Sequence, residues 1–230
     1  MKVALCLSGF AREYHKTFPA LKKHLLDLYD VDVFIHTWSK PDRHMPKPKE
    51  GFDFSIYEPK VCLIEEPKTF DIPQTLDDKN IFQKRDLNGI CAMYYGIYES
   101  NLLRTKYEEQ KEFEYDVVVR SRFDLLHEEK FEVEVNNLIN IPLYGDFFGV
   151  NDQLAYGSSE NMDDYSSCFL HLKSHSKIVS QADPELLLQA HFLSSGLAIK
   201  RFQLMYKLLA HGQTLDNETR EKQWVLDVRK

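Results

Sequence analysis

The segment Tyr115-Asp-Val-Val-Val-Arg-Ser-Arg-Phe-Asp-Leu carries two guanidinium groups and a carboxylate at alternate positions: Arg120, Arg122 and Asp124. Side chains two apart on an extended chain project to the same side. If the apolar run Val117 to Val119 is a buried strand, the three groups therefore leave one face of it together. Open α/β sheets bind ligands at the carboxyl ends of their strands. Two cations and an anion placed there suit a phosphate-bearing ligand, with Asp124 free to hold a divalent cation. The competing reading is a structural ion pair in an ordinary loop.

Other segment ends offer complementary groups. In Leu7-Ser8-Gly9-Phe10-Ala11-Arg12, the small Ser8 and Gly9 let a ligand approach the backbone, and Arg12 reaches a phosphate. A plain turn explains Ser-Gly as well. His36 stands near the end of a second apolar run, as a ligand contact or a packed histidine. Asn151, Asp152 and Gln153 place three hydrogen-bonding side chains together, a grip for sugar hydroxyls or a polar turn. Glu185 and His191 share one helix but lie about 120° apart around it. His191 offers a further metal ligand or hydroxyl contact, against the alternative of a helix-surface histidine. The sequence has no G-x-G-x-x-G, no G-x-x-x-x-G-K-[ST], no H-E-x-x-H and no G-x-S-x-G.

The elements that must position these groups follow from periodicity. Val3 to Leu7 is a continuous apolar run, as in a central parallel strand covered on both faces. Phe18, Leu21, Leu25 and Leu28 recur at helical spacing over 15–29, and Val31 to Trp38 reads as the next strand. This is the strand–helix–strand unit of a parallel sheet. Residues 39–55 read as a surface loop, Lys60 to Ile64 as a third strand, and 66–86 as irregular. A long amphipathic helix covers Leu87 to Glu112, and the opening strand, Tyr115 to Arg120, follows it. Short antiparallel or edge strands are predicted within 131–142, and another strand over 153–157. One helix starts near Glu160; another runs from Pro184, with Asp183 as N-cap, to the left-handed cap Gly196. Leu197 to Met205 forms a last strand, and the tail over 212–230 is helical or frayed.

At 230 residues the chain suits a single α/β domain over 1–230. A formal net charge of −7 argues against a nucleic-acid partner, which would need a broad basic field. The four cysteines are scattered without a C-x-x-C pair, which points to a reduced, cytoplasmic setting. No apolar run reaches membrane-spanning length, a reading compatible with peripheral attachment to a membrane surface.

Taken in order, K-V-A-L-C-L-S-G-F-A-R, D-V-F-I-H-T-W, the Tyr-rich A-M-Y-Y-G-I-Y, Y-D-V-V-V-R-S-R-F-D-L, N-D-Q-L-A-Y-G-S-S-E-N-M and D-P-E-L-L-L-Q-A-H-F resemble a group of nucleotide-sugar glycosyltransferases. These occur in bacterial surface-polysaccharide clusters and in large DNA viruses. The resemblance spans roughly residues 2–200, and R-S-R-F-D and N-D-Q-L-A-Y-G are its most specific parts. It implies a GT-A-like (Rossmann-like) domain with a mixed, mainly parallel central sheet flanked by helices. It also implies a nucleoside diphosphate sugar donor, a glycan or glycolipid acceptor, and Mn2+ or Mg2+. Ser8, Gly9, Arg12, Tyr94, Arg120, Arg122, Asp124, Asn151 and Gln153 would then bind the donor. Asp124 and His191 would hold metal, and Asp152 or Glu185 would act as base. Where many such enzymes carry Asp-x-Asp, this chain reads Arg122-Phe123-Asp124, with only the second acid present. The alternative function is a catalytically inactive nucleotide- or glycan-binding module of the same fold.

Overall fold

A computed structural model of the chain describes residues 1–41, 52–80, 84–209 and 216–228, with side chains through residue 223. Its centre is a seven-stranded sheet in the order β3-β2-β1-β4-β7-β6-β8. The strands β1 (Lys2–Ser8), β2 (Asp30–Trp38), β3 (Val61–Glu65) and β4 (Val117–Arg122) run parallel to one another. β7 (Leu154–Gly157) is antiparallel to both β4 and β6 (Ile139–Pro142), and β6 is parallel to β8 (Ile199–Phe202). The expected mixed, mainly parallel sheet is therefore present, with β7 as the strand that runs against the rest.

Alternation along the strands sorts the core into two layers. Ala4, Cys6, Phe34 and Val118 pack on the side of the long helix α3 (Leu87–Lys111). Val3, Leu5, Leu7, Val33, Ile35, Val117 and Val119 pack on the opposite side, with α1 (Tyr14–Leu21). Residues apolar on both faces belong in strands covered on both sides, and Val117, Val118 and Val119 are each fully buried. By the same alternation Arg120 and Arg122 share the α3 side with Val118.

Chain order explains where the site falls. From β1 the chain steps outward to β2 and β3, then returns through α3 to place β4 on the other side of β1. The carboxyl ends of β1 and β4 flank this reversal, the position at which open α/β sheets form a crevice.

Several boundaries differ from the sequence reading. The first helix does not run unbroken over 15–29: α1 passes into a π-helical turn at Lys22–Leu26, closed by the Asp27 N–H on the Lys22 carbonyl. β4 extends through Arg122, so both arginines are strand residues and not part of a following loop. Within 131–142 only Ile139–Pro142 is a strand. A separate two-stranded sheet joins β5 (Leu125–His127) to β9 (Tyr206–Leu208). A four-residue helix, α2 (Gln74–Asp77), interrupts the stretch read as irregular, and the tail carries α7 (Asn217–Val228). Most of the loop placed at 39–55 lies outside the described residues. α4 (Ser159–Ser166), α5 (Leu172–Ile178) and α6 (Pro184–Ser195) complete the helical layer. α4 is capped by Ser158, which accepts from the Asn161 N–H, and α6 ends at Gly196 with φ 72°.

Candidate functional site

A pocket of about 350 Å3 opens at the carboxyl ends of β1 and β4. Ser8, Gly9, Phe10 and Arg12 come from β1 and its turn; Arg120, Arg122 and Asp124 come from β4 and just beyond. The first turns of α3 supply Gly89, Ile90, Ala92 and Met93, preceded by Arg85 and Asp86, and Trp38 and Pro184 close the wall. Ser8, Gly9, Arg12, Arg120, Arg122 and Asp124, all picked out in the sequence, are thus brought together. Gly9 adopts φ 102°, a conformation that suits glycine, and its carbonyl accepts from the Thr37 hydroxyl at 2.8 Å.

The charges are unequally matched. Arg122 grips Asp124 in a bidentate pair, Nε to Oδ1 and Nη2 to Oδ2 at 2.8 Å each. Arg12 Nη1 stands 3.7 Å from the same Oδ2, and Arg85 pairs with Asp183 at 2.9 Å. Arg120 differs: it is 2% exposed, and its Nε and Nη1 donate to nothing among the described residues. Four arginines and two acids, Asp86 and Asp124, line the pocket, and the N-terminal turn of α3 adds its partial positive charge. Such a wall attracts an anion with several oxygens.

Other residues from the sequence reading fall elsewhere. Asp152 and Glu185, the expected bases, are 3% and 8% exposed and do not line the pocket. Burial raises the pKa of Asp152, against the pull of Arg120 and Arg122, and nearby Asp183 raises it further. Burial also raises Glu185 well above the usual carboxylate range, reinforced by Asp152 and Asp183. Asp152, Glu185 and Asp183 form a buried acidic group beside Arg120 and Arg122. A carboxyl buried outside the pocket wall does not reach an acceptor bound in it.

Asn151 is a brace: its side-chain amide donates to the Tyr144 carbonyl and the Tyr206 hydroxyl, and its Oδ1 accepts from the Gln153 N–H. Gln153 is buried and likewise outside the pocket wall. Tyr94 is buried in the core and donates to the Pro184 carbonyl at 2.7 Å, so it packs α3 against α6 and does not face a ligand. His36 pairs with Glu65 at 2.9 Å; burial lowers its pKa, opposed by that carboxylate. Burial would raise Glu65, but hydrogen bonds from Lys68, His36 and Tyr95 hold it down at about 2. His36 is a structural histidine.

The metal pair proposed from sequence is not assembled. His191 is not among the pocket residues; its ring lies with Cys168 and His175. Asp124 alone is a poor seat for Mn2+ or Mg2+, because both its oxygens are occupied by Arg122 and further guanidinium groups surround it. Asp86 also gives its Oδ1 to the Gly89 N–H as the cap of α3. Hard divalent cations need several oxygen ligands, and this donor set does not fit them.

The sequence reading missed Arg85, Asp86, Gly89 and Trp38. Asp86 was legible as an acid immediately before the helix beginning at Leu87, the ordinary N-cap signature. The contribution of Arg85 depends on where the chain before α3 lies, which no local pattern encodes.

Fold and site together define an α/β protein with an arginine-lined pocket at the switch point of its sheet. A family model described as "Domain of unknown function (DUF7796)" matches residues 1–213, and the chain belongs to that family. No curated protein matches the sequence. Among the described residues no helix is long and apolar enough to cross a membrane.

Proposed function

We propose that the pocket binds the diphosphate of a nucleoside diphosphate sugar and that the protein is a GT-A-type glycosyltransferase acting on a glycan or glycolipid hydroxyl. The observation that carries this reading is Arg120, a buried guanidinium in the pocket wall whose Nε and Nη1 have no partner among the described residues. Buried donors are almost always satisfied, and an incoming phosphate oxygen would satisfy these. Arg12, Arg85 and the α3 terminus surround the same space, and Phe10 and Trp38 offer faces for a base or sugar ring.

In the transfer, the bond between the anomeric carbon and the diphosphate oxygen breaks, and a bond to the acceptor oxygen forms. The acceptor proton passes to a base, and the diphosphate leaves with its electron pair. Arginines stabilise the charge that develops on it, a role that metal ions fill in many related reactions. Asp86, exposed at the pocket edge, is the acid best placed to take the proton in an inverting reaction.

A second reading, a nucleotide-binding module without catalysis, is favoured by the burial of Asp152 and Glu185 outside the pocket. Thermal-shift measurements with UDP, GDP and dTDP, each with EDTA or Mn2+, test binding. Stabilisation by at least one diphosphate in EDTA, abolished in Arg120→Ala, is expected. Stabilisation by S-adenosylmethionine alone would overturn the diphosphate reading. Donor turnover separates enzyme from module: loss of turnover in Asp86→Asn with diphosphate binding retained supports the enzyme, and no turnover of any common nucleotide sugar supports the module.

A further inference from the structure

Outside the lining of the pocket, three side chains from three elements meet in the core. Cys168 lies in the 3-10 segment Ser167–His171, His175 in α5 and His191 in α6, and all three are buried. A ligating atom of each lies within 4.8 Å of the others. His175 Nε2 and His191 Nδ1 are 3.0 Å apart in a hydrogen bond, so one of these nitrogens presents a lone pair to the other. His191 Nε2 donates to the Asp164 carbonyl at 2.7 Å. That bond fixes the tautomer and leaves Nδ1 as the lone-pair nitrogen, the arrangement typical of histidine ligands held by a backbone carbonyl.

We infer that Cys168, His175 and His191 form a structural zinc site, with His171 completing the coordination. The His171 ring is stacked 5.9 Å from that of His191 and lies tilted 5.8 Å from that of His175, and it is exposed, which gives an ion a way in. Zinc prefers tetrahedral sulfur and nitrogen donors, with neighbouring ligand atoms about 3.3–3.6 Å apart. From separations of at most 4.8 Å, the donors among Cys168, His175 and His191 need close by no more than about 1.5 Å. Binding releases the thiol proton, while the hydrogen on His175 Nε2 is replaced by one on its Nδ1, so that both imidazoles ligate in the neutral form. A mixed Cys/His set selects zinc over the hard cations expected from a carboxylate site. The ion would tie the 3-10 segment and α5 to α6, whose first residue, Pro184, forms part of the pocket wall. This site is independent of the function proposed for that pocket.

Co2+ added to the reduced, EDTA-treated and dialysed full-length protein tests the assignment. The expected result is saturation at one ion per chain, with a thiolate-to-cobalt charge-transfer band and the intense visible bands of tetrahedral Co2+. Cys168→Ala should lose the charge-transfer band. His171→Ala, a change at an exposed position that leaves the fold intact, should weaken Co2+ binding by roughly tenfold or more. His15→Ala, at an exposed histidine elsewhere, should bind as the parent does. A parent protein without a thiolate band, a band that persists in Cys168→Ala, or His171→Ala binding as tightly as the parent would each overturn the proposal. If Cys168→Ala does not fold, the parent spectrum and His171→Ala decide the matter between them.

Discussion

Two arginines, one on the long helix and one on the central strand β4, are both buried, yet their surroundings differ. Arg104, on α3, is 0% exposed and spends its Nη1 on Glu108 and Ser159 and its Nη2 on Asn101 and Asp163. Glu108 is held in turn by Ser159 and by the Tyr115 N–H. Arg120, on β4, is 2% exposed and leaves Nε and Nη1 without a partner among the described residues, with a cavity in front of it. The first network satisfies both Nη groups of Arg104, leaves only its Nε without a partner among the described residues, and joins α3, α4 and Tyr115 just before β4. The second is incomplete in a way that an external anion would complete. Buried polar groups are costly unless satisfied, so the difference separates a residue placed for stability from one placed for a ligand.

The sharpest way to break this contrast is to remove the Arg104 network. Arg104→Ala should cost about 3–5 kcal/mol, because it leaves the Glu108 carboxylate buried without its counter-charge. Urea unfolding followed by circular dichroism measures this. A loss below about 1 kcal/mol would place Arg104 with ordinary surface arginines and remove the basis of the comparison.

The matching change on the open side should act on binding. Arg120→Met should lower nucleoside diphosphate affinity by roughly 10- to 100-fold, the worth of one charge-assisted hydrogen bond. Stability should move by no more than about 1 kcal/mol, since Arg122 remains beside Asp152 and that carboxyl can protonate. Titration calorimetry in EDTA reads the first quantity and urea unfolding the second. Unchanged affinity together with a large loss of stability would make Arg120 a second Arg104.

The acids behind the pocket sharpen the comparison through pH. The folded pKa of Glu185 is raised, by burial first and then by Asp152 and Asp183. A raised folded pKa contributes stability that is fully present below the unfolded value near 4.5 and is lost as pH rises towards the folded value. Glu185→Gln keeps a neutral group at every pH. The stability of the variant relative to the parent should therefore grow above pH 4.5, by at most about 1.4 kcal/mol per pH unit. A difference that stays flat from pH 4 to pH 8 would mean that Glu185 is ionised in the folded protein.

How much of this was legible in the sequence depended on how local the cause was. β1, β2, β3, α3 and α6 follow from apolar runs, helical spacing and the Asp183-Pro184 and Gly196 boundaries, and all were read close to their true limits. The Arg120–Arg122–Asp124 placement was legible because strand alternation and the chain order of α/β sheets are general rules. The partners of these residues were not. Asn151, Asp152 and Gln153 looked like a polar grip because sequence shows polarity and not direction; in the fold Asn151 binds Tyr144 and Tyr206, and Asp152 is buried. The meeting of Cys168 with His175 and His191 likewise depends on how α5 packs on α6. The spacing Cys168-x-x-His171-x-x-x-His175 was visible, but not its closure by His191.

The smallest predicted effect tests whether a residue can be moved from the ligand side of the comparison to the structural side. Tyr94 was expected at a nucleotide or sugar; in the fold its hydroxyl donates to the Pro184 carbonyl from inside the core. Pro184 itself touches the pocket, so the bond connects the long helix to one edge of the site without contacting what binds there. Tyr94→Phe keeps the ring and its packing and removes the hydroxyl, which meets the Cys168 thiol as well as the Pro184 carbonyl. It should cost about 1 kcal/mol of stability, the usual net worth of a neutral buried bond. Diphosphate affinity should stay within about twofold of the parent value, because the acceptor carbonyl belongs to the helix start and not to the pocket charges. An affinity loss comparable to that of Arg120→Met, with stability unchanged, would return Tyr94 to the binding site and shift the boundary between the structural and ligand sides of the molecule.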